Sequence, residues 1–275
     1  MNPHQAPSLS PFALLRLCWL QRQLLAQLVR REIAKRYQGS VLGMLWSLLN
    51  PVLMLVVYTF VFSTVFKSQW GNMPQSKTEF AMVLFAGLCV YNLFADVVNR
   101  SPRLVLDNVS YVKRVVFPLE MLAVVNVTAA LFHFAIQVLV VLVARLLLDG
   151  QLPWTALMLP LVIFPLLLFS LGISWLVASL GVFLRDTAPV VSLATMALIF
   201  LSPVFYSIDA LPVEVQHLFY LNPLTSIINQ ARDVLIWGTG IDWWWLLMHT
   251  VVQGAVAWCG YAWFQRTKKG FADVL

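Results

Sequence analysis

Charge is the scarcest ingredient of this 275-residue chain. Lys, Arg, Asp and Glu make up 11% of it, 60% is hydrophobic, and the mean hydropathy is +0.81. Soluble domains carry roughly a quarter charged residues, so the shortage excludes a water-wetted globule and makes lipid the solvent over most of the surface. Cysteine is scarce as well. Cys18, Cys89 and Cys259 are far apart and show no CxxC or Cys/His spacing, which excludes a disulfide framework or zinc site and leaves small buried apolar residues. His4, His133, His217 and His249 are equally scattered. The chain has no GxxxxGK[ST] loop, Gly-rich dinucleotide fingerprint, HExxH or GxSxG. It is therefore expected to be no enzyme and to hold no nucleotide, metal or other cofactor itself. A cleavable signal peptide is not expected either: residues 1–11 are polar, and Arg16 and Arg22 break the apolar stretch that follows. The net charge of +6 lies in short clusters between apolar runs. That placement speaks for orientation in a membrane and attraction to anionic lipid heads, with no nucleic-acid partner.

What the chain does have is long uncharged runs. Each of six segments offers about the 20 apolar residues of a bilayer crossing: roughly 43–66, 80–99, 119–145, 157–184, 188–206 and 243–265. Residues 215–231 are also apolar, but Gln216, His217, Asn222, Pro223, Asn229 and Gln230 would leave too many polar groups in lipid. With Pro212, Asn222–Pro223 and Gly238 as punctuation, 207–241 reads as two short helices at one membrane face. If the amino terminus lies inside, fourteen Lys and Arg fall on the inner side and four (Lys67, Lys77, Arg145, Arg232) on the outer. This excess predicts that both termini are cytoplasmic. Trp154, Trp237 and Trp243–Trp245 then sit at the outer headgroup level.

Before the first span, Ser10 and Pro11 suit a helix start. Leu14, Leu17, Leu20, Leu24, Leu25 and Leu28 share one face, with Arg16, Gln23, Gln27 and Arg30 on another. Such a helix lies flat on the inner leaflet, and the basic run Arg30, Arg31, Lys35 and Arg36 follows it. The expected organisation is a flexible segment 1–11, an amphipathic interface helix with its basic segment at 12–36, and a single transmembrane domain at 37–275.

Two ionisable groups fall inside spans. His133 reads as a neutral, hydrogen-bonded helix-contact residue in preference to a functional one. Asp96 lies four residues before Arg100, the spacing of an i,i+4 ion pair near the inner interface. No ladder of intramembrane acids accompanies it, which disfavours a proton-driven pump. The energy must come from another chain.

The stretches RREIAKRYQGSVLGMLWSLLNPVLMLVVYTFVF (30–62), NVSYVKRVVFPLEMLAVVNV (108–127), VFLRDTAPVVSLATMALIFLSPVFYSIDALP (182–212) and YLNPLTSIINQARDVLI (220–236) resemble, in this order, the permease subunits of type-2 ABC exporters. The nearest branch exports O-antigen, capsular polysaccharide or teichoic acid. The resemblance runs from about 12 to 266. It implies an all-α integral membrane protein of six transmembrane helices, with an amino-terminal amphipathic interface helix, a cytoplasmic coupling helix and short periplasmic re-entrant or gate helices. The implied location is the inner (cytoplasmic) membrane. The implied partners are a second copy of the permease, two copies of an ABC ATPase that binds ATP and Mg, and a lipid-linked polysaccharide substrate.

The resemblance makes 107–118 the coupling helix, with Asn108, Val109, Tyr111, Val112, Lys113, Arg114 and Phe117 facing the ATPase. Arg185 and Asp186 would form a second, minor contact. It makes 207–241 the gate, with Leu211, Phe219, Asn222, Pro223 and Ile227 as its candidates, the alternative being a static anchor. A polymer passing between two copies needs aromatic walls, for which Tyr58, Phe62, Tyr91, Phe94, Phe205 and Tyr206 are candidates. These rings could instead face lipid or pack between helices. An exporter of a small amphiphile, a multispanning glycosyl- or acyltransferase and a membrane scaffold are the competing functions.

Overall fold

The structure, a computed structural model, describes residues 10–61, 77–112 and 117–275. Among these residues all regular structure is helical. The α-helices are α1 (Pro11–Leu20), α2 (Arg22–Lys35), α3 (Trp46–Phe60), α4 (Lys77–Arg100), α5 (Val109–Val112), α6 (Met121–Asp149), α7 (Leu159–Phe183), α8 (Thr187–Phe200), α9 (Val213–Tyr220), α10 (Pro223–Arg232), α11 (Trp243–Thr267) and α12 (Phe271–Val274). Four stretches are long and apolar enough to cross a bilayer: Gly43–Phe60, Glu79–Arg103, Met121–Leu148 and Trp154–Phe183. This is a multi-pass membrane architecture. Helices α8 and α11 occupy the stretches expected for the fifth and sixth spans. The first has 14 residues, about 21 Å of helix at 1.5 Å per residue. The second has 25 residues but carries His249, Gln253 and Gln265 along it.

Helix α4 is the hub. In the stretch Glu79–Arg103, 89% of the apolar window is buried, against 6% for Gly43–Phe60. Small residues at Ala81, Ala86, Gly87, Cys89 and Ala95 let α6, α7 and α10 approach α4 closely. Polar side chains reach its backbone: the Asn126 amide donates to the Val97 carbonyl at 2.9 Å, and the Ser101 hydroxyl, which also lies 2.8 Å from Ser174 Oγ of α7, donates to it at 2.7 Å. Between lipid-like surfaces such bonds add to packing, because no water competes for the groups.

Helices α7 and α11 make the closest pair, touching through glycine. A Cβ on Gly172 would lie 2.6 Å from the Val256 carbonyl oxygen, and Gly260 faces the Gly172 backbone in return. Toward the carboxy-terminal ends of both helices, Trp175 meets Tyr261 edge-on at 5.2 Å and Ser179 bonds Thr267 at 2.7 Å. At the basic end of the bundle α1 and α2 turn into α3 through residues 36–45. Gly39 (φ +83°) and Gly43 (φ +52°) take backbone conformations there that a side chain would oppose. Ser10 stands at the N-cap position of α1 and Pro11 in its first turn.

Candidate functional site at the two ends of the bundle

At the basic end, the interface and coupling residues predicted from sequence meet. The Arg31 guanidinium donates to the Tyr111 hydroxyl at 2.7 Å and to the Asn108 side-chain oxygen at 3.5 Å. It also lies 5.6 Å from the Tyr111 ring centroid, a cation–π distance. Tyr111 in turn stacks on Phe117 with centroids 4.3 Å apart. Residues almost eighty positions apart thus form one layer beneath the spans. Asn108 closes a 3-10 turn (Leu106–Asn108) that runs directly into α5, and its amide donates to the Leu104 carbonyl. Val109 is half-buried and Val112 ends α5. Lys113 and Arg114 lie outside the described residues.

Arg30 and Lys35 are exposed on α2. Arg36 reaches inward to Asp96 at 2.5 Å, and Arg100 bridges Asp96 at 2.9 Å and Glu32 at 3.2 Å. The Asp96–Arg100 pair expected at i,i+4 is present; the link to Arg36, sixty residues away, is not visible in local sequence. Arg185 and Asp186 are exposed in the link between α7 and α8. Arg185 lines a groove of about 480 Å³ together with Arg103, Asp107 and the carboxy-terminal Val274 and Leu275. The groove brings Arg185 beside Asp107. Lys268 pairs with Glu120 at 3.3 Å, tying the end of α11 to the start of α6.

Tyr37 follows the basic run and meets His133 of α6, its hydroxyl 3.1 Å from Nδ1. Burial raises the Tyr37 phenol above its ordinary value, so it stays protonated. His133 therefore has the hydrogen-bonded helix-contact geometry its position suggests.

The candidate wall aromatics divide. Tyr91 is 6% exposed and donates to the Thr195 carbonyl at 2.6 Å, and Phe94, at 5%, stacks on Phe169. Both pack inside this chain's own core. Tyr58 is half-buried against that core from α3, and Phe62 lies outside the described residues. Phe205 and Tyr206 are half-buried where the chain leaves α8. Phe205 lies 6.0 Å from Phe200, and Tyr206 meets Phe219 of α9 edge-on at 5.9 Å.

The far end holds the two short helices, α9 and α10. They meet at Asn222–Pro223, where the Asn222 side chain accepts from the Leu224 N–H and donates to Ser202 Oγ at 2.8 Å. The two differ in kind. No residue of α9 is fully buried, and Leu211 and Phe219 are half-buried. In α10 Leu224, Thr225, Ile227, Ile228 and Ala231 are at 0% exposure. Ile227 is thus core, packed with α4 and α7.

One residue here was not singled out from sequence. Arg232 is 2% exposed and donates to the carbonyls of Val83 (2.9 Å), Pro203 (2.7 Å) and Val204 (2.9 Å). It ties α10 to α4 and to the end of α8. The signal in sequence is an arginine with Ile228, Ala231, Leu235 and Ile236 around it at i−4, i−1, i+3 and i+4, a charge on a largely apolar face with Asn229 at i−3 as its polar neighbour.

Among the described residues no group of His, Cys, Asp or Glu could hold a metal ion. The arrangement sets a basic layer beneath apolar helices at one end and, at the other, an α10 packed into the hub beside an α9 with no fully buried residue.

Residues 23–236 match the family model of the ABC-2 type transporter. The chain belongs to that family. It is 29% identical over 255 residues to the O-antigen export system permease protein RfbA of Klebsiella pneumoniae, covering 92% of this chain and 95% of that one. The Myxococcus xanthus protein of the same name is 28% identical over 263 residues, covering 94% and 98%. The polysialic acid transport protein KpsM of Escherichia coli is 23% identical over 237 residues, covering 85% and 90%. This ABC-2 chain is thus a transport permease, matched to these relatives almost end to end.

Proposed function

We propose that this chain is the membrane subunit of an exporter that carries a lipid-linked polysaccharide out across the cytoplasmic membrane. The near full-length similarity to O-antigen export permeases carries the reading. Two copies would form the passage, and two copies of a separate ATPase would supply the energy. The fourteen-to-four excess of Lys and Arg puts the basic end in the cytoplasm, with α8 and α11 as the fifth and sixth spans.

In this orientation α2 and the described residues 107–112 of the expected coupling segment lie on the side where an ATPase would dock. The layer Arg31–Tyr111–Phe117 is the transmission surface. On the outer side α10 is a fixed wall, and α9, attached at Asn222–Pro223 and nowhere fully buried, is the moving leaf.

Deleting the chain from its host should abolish surface glycan while lipid-linked glycan accumulates inside. An ATPase should co-purify with the tagged protein. Unchanged surface glycan in the deletion strain would overturn the reading. Within the complex, Tyr111→Ala removes the hydroxyl and ring that join Arg31 to Phe117. It should leave membrane insertion intact and lower export more than ATP hydrolysis.

A further inference from the structure

Beyond Thr267 the chain turns back against its own helices. A 3-10 turn (Lys268–Gly270) leads into α12, which packs on α7. A helix of four residues cannot hold itself together, and Phe271 is what anchors this hook. It is at 0% exposure, its ring 5.5 Å from that of Phe264 in α11 and 5.8 Å from that of Phe183 in α7.

The hook shares its core with the expected coupling segment, 107–118. Among the described residues the buried apolar side chains form a large cluster around α4 and a small one at the basic end. The small cluster joins Val105 and Leu119, which flank the coupling segment, to Trp175, Tyr261, Phe264 and Phe271. Tyr111 and Phe117 pack against it from the coupling segment, and Leu14 from α1. Closer contacts grip the same segment at both ends. Before it, Gly181 of α7 lies against the Pro102 carbonyl and leaves no room for a Cβ. After it, Glu120 is 7% exposed and held twice: Trp175 Nε1 donates to its carbonyl at 3.0 Å, and Lys268 of the hook pairs with its carboxylate at 3.3 Å. A carboxylate this deep needs its counter-charge, so Lys268 ties the hook to the start of α6.

We infer that the hook, through Phe271 and Lys268 as positioning residues, carries movement of the coupling segment into the α7–α11 pair. The inference rests on the export reading, which supplies the ATP-driven movement, and adds the route that movement takes. A close-packed core passes displacement on because it has little free volume in which to absorb it. The coupling segment, the hook and the adjoining ends of α7 and α11 therefore shift as one body. Helix α7 gives its first half to the large cluster and its second to the small one, and Leu171 packs on both. The shift thus pivots at mid-span, where Gly172 meets the α11 backbone. The large cluster, which includes α10, is the frame against which it turns.

The test reads glycan moved per ATP hydrolysed, in proteoliposomes holding the permease with its co-purified ATPase and lipid-linked glycan extracted from the host. Phe271→Ala removes the anchoring ring, and Lys268→Glu sets a like charge against Glu120. Each should lose most of the ratio while the ATPase still co-purifies and hydrolyses ATP. Combining Lys268→Glu with Glu120→Lys should restore it, which a general loss of stability would not allow. A second measurement starts from folded protein. Leu106 and Val274 line one groove. Leu106→Cys and Val274→Cys, in a variant lacking Cys18, Cys89 and Cys259, are bridged by a short bifunctional methanethiosulfonate. The two single-cysteine variants, treated alike, correct for any effect of the reagent on the ATPase. If segment and hook move together, the bridged protein transports at the rate of the unbridged one. Transport that stops on bridging and returns on reduction would show the segment moving against the hook, and overturns the inference. A parental ratio in both Phe271→Ala and Lys268→Glu overturns it too. The bridge decides alone if those variants do not accumulate. Surface glycan in the deletion strain separates the two failures: if deletion abolishes it, either overturning result removes only the hook and export stands.

Discussion

Arg36 and Arg100 at the basic end and Arg232 at the far end carry the same guanidinium into opposite surroundings. Arg36 and Arg100 answer carboxylates, Asp96 and Glu32, in a network whose side chains are 15–35% exposed. Arg232 is 2% exposed and answers backbone carbonyls from two other segments of the chain. Water and lipid headgroups can replace part of the first set of bonds, and nothing nearby can replace the second. Each end therefore has a different mechanical character: the basic end can be remade when a partner docks, whereas α10 is fixed to the hub. In the proposed gate, α9 would move against a neighbour that stays fixed.

The sharpest test of the contrast is Arg232→Met. It leaves the Pro203 and Val204 carbonyls without their donor in a buried turn, where an acceptor that loses its partner costs about 1–3 kcal/mol. With the Val83 carbonyl also losing its donor, three buried acceptors are left at once, so a loss of about 3–5 kcal/mol is expected for the purified protein. Thermal unfolding in detergent would read it. Arg232→Lys should recover less than half, because one ammonium cannot span three carbonyls held on a planar fork. A melting temperature close to that of the parent would show that the guanidinium is not what holds α10.

Gly87 probes the same contact from the α4 side. A Cβ there would lie 2.5 Å from Arg232 Nη2 and 3.3 Å from Ile228 Cγ2. Alanine raises helix propensity by about 0.8–1 kcal/mol, yet displacing the guanidinium should cost about 1–3 kcal/mol, so Gly87→Ala is expected to be net destabilising. Gly254→Ala in α11 sharpens the comparison, since the nearest atom is the Leu168 Cδ1 at 3.9 Å. It should keep the propensity gain. Equal shifts for the two variants would mean that Arg232 yields freely and that α10 is looser than its burial suggests.

How far the sequence discloses these features depends on how local they are. The Asp96–Arg100 pair is legible because one helix supplies both partners one turn apart. Arg36 on the same carboxylate is not, because only the fold of α2 against α6 brings it there. The break between α9 and α10 is written in Asn222–Pro223, a cap followed by a residue suited to the first turn. The burial of α10 is not written: Thr225, Ser226, Asn229 and Gln230 make its composition look like that of a surface helix, and only packing against α4 and α7 shows otherwise. Tyr91 and Phe94 carry the same lesson in reverse. Aromatic residues in a span suit a wall as well as a core, and burial places both in the core. The helical class, the main apolar spans and the family were legible because hydrophobic length and local motifs record them directly.

The smallest effect is expected at the basic end, from Asp96→Asn. The amide keeps an oxygen for Arg36 and Arg100 but removes the charge, in a site whose carboxylate side chain is 28% exposed. Partly exposed ion pairs contribute about 0–1 kcal/mol, so the melting temperature should move far less than for Arg232→Met. Its diagnostic is salt. Screening weakens exposed pairs and leaves buried contacts nearly untouched, so the difference between parent and Asp96→Asn should shrink as ionic strength rises, while the difference between parent and Arg232→Met should not. A double-mutant cycle with Arg36→Gln isolates the pair from any general effect on α4. A coupling of several kcal/mol that ignores salt would mean that Asp96 is as rigidly held as Arg232, and the division between a remakeable basic end and a fixed far end would have to be abandoned.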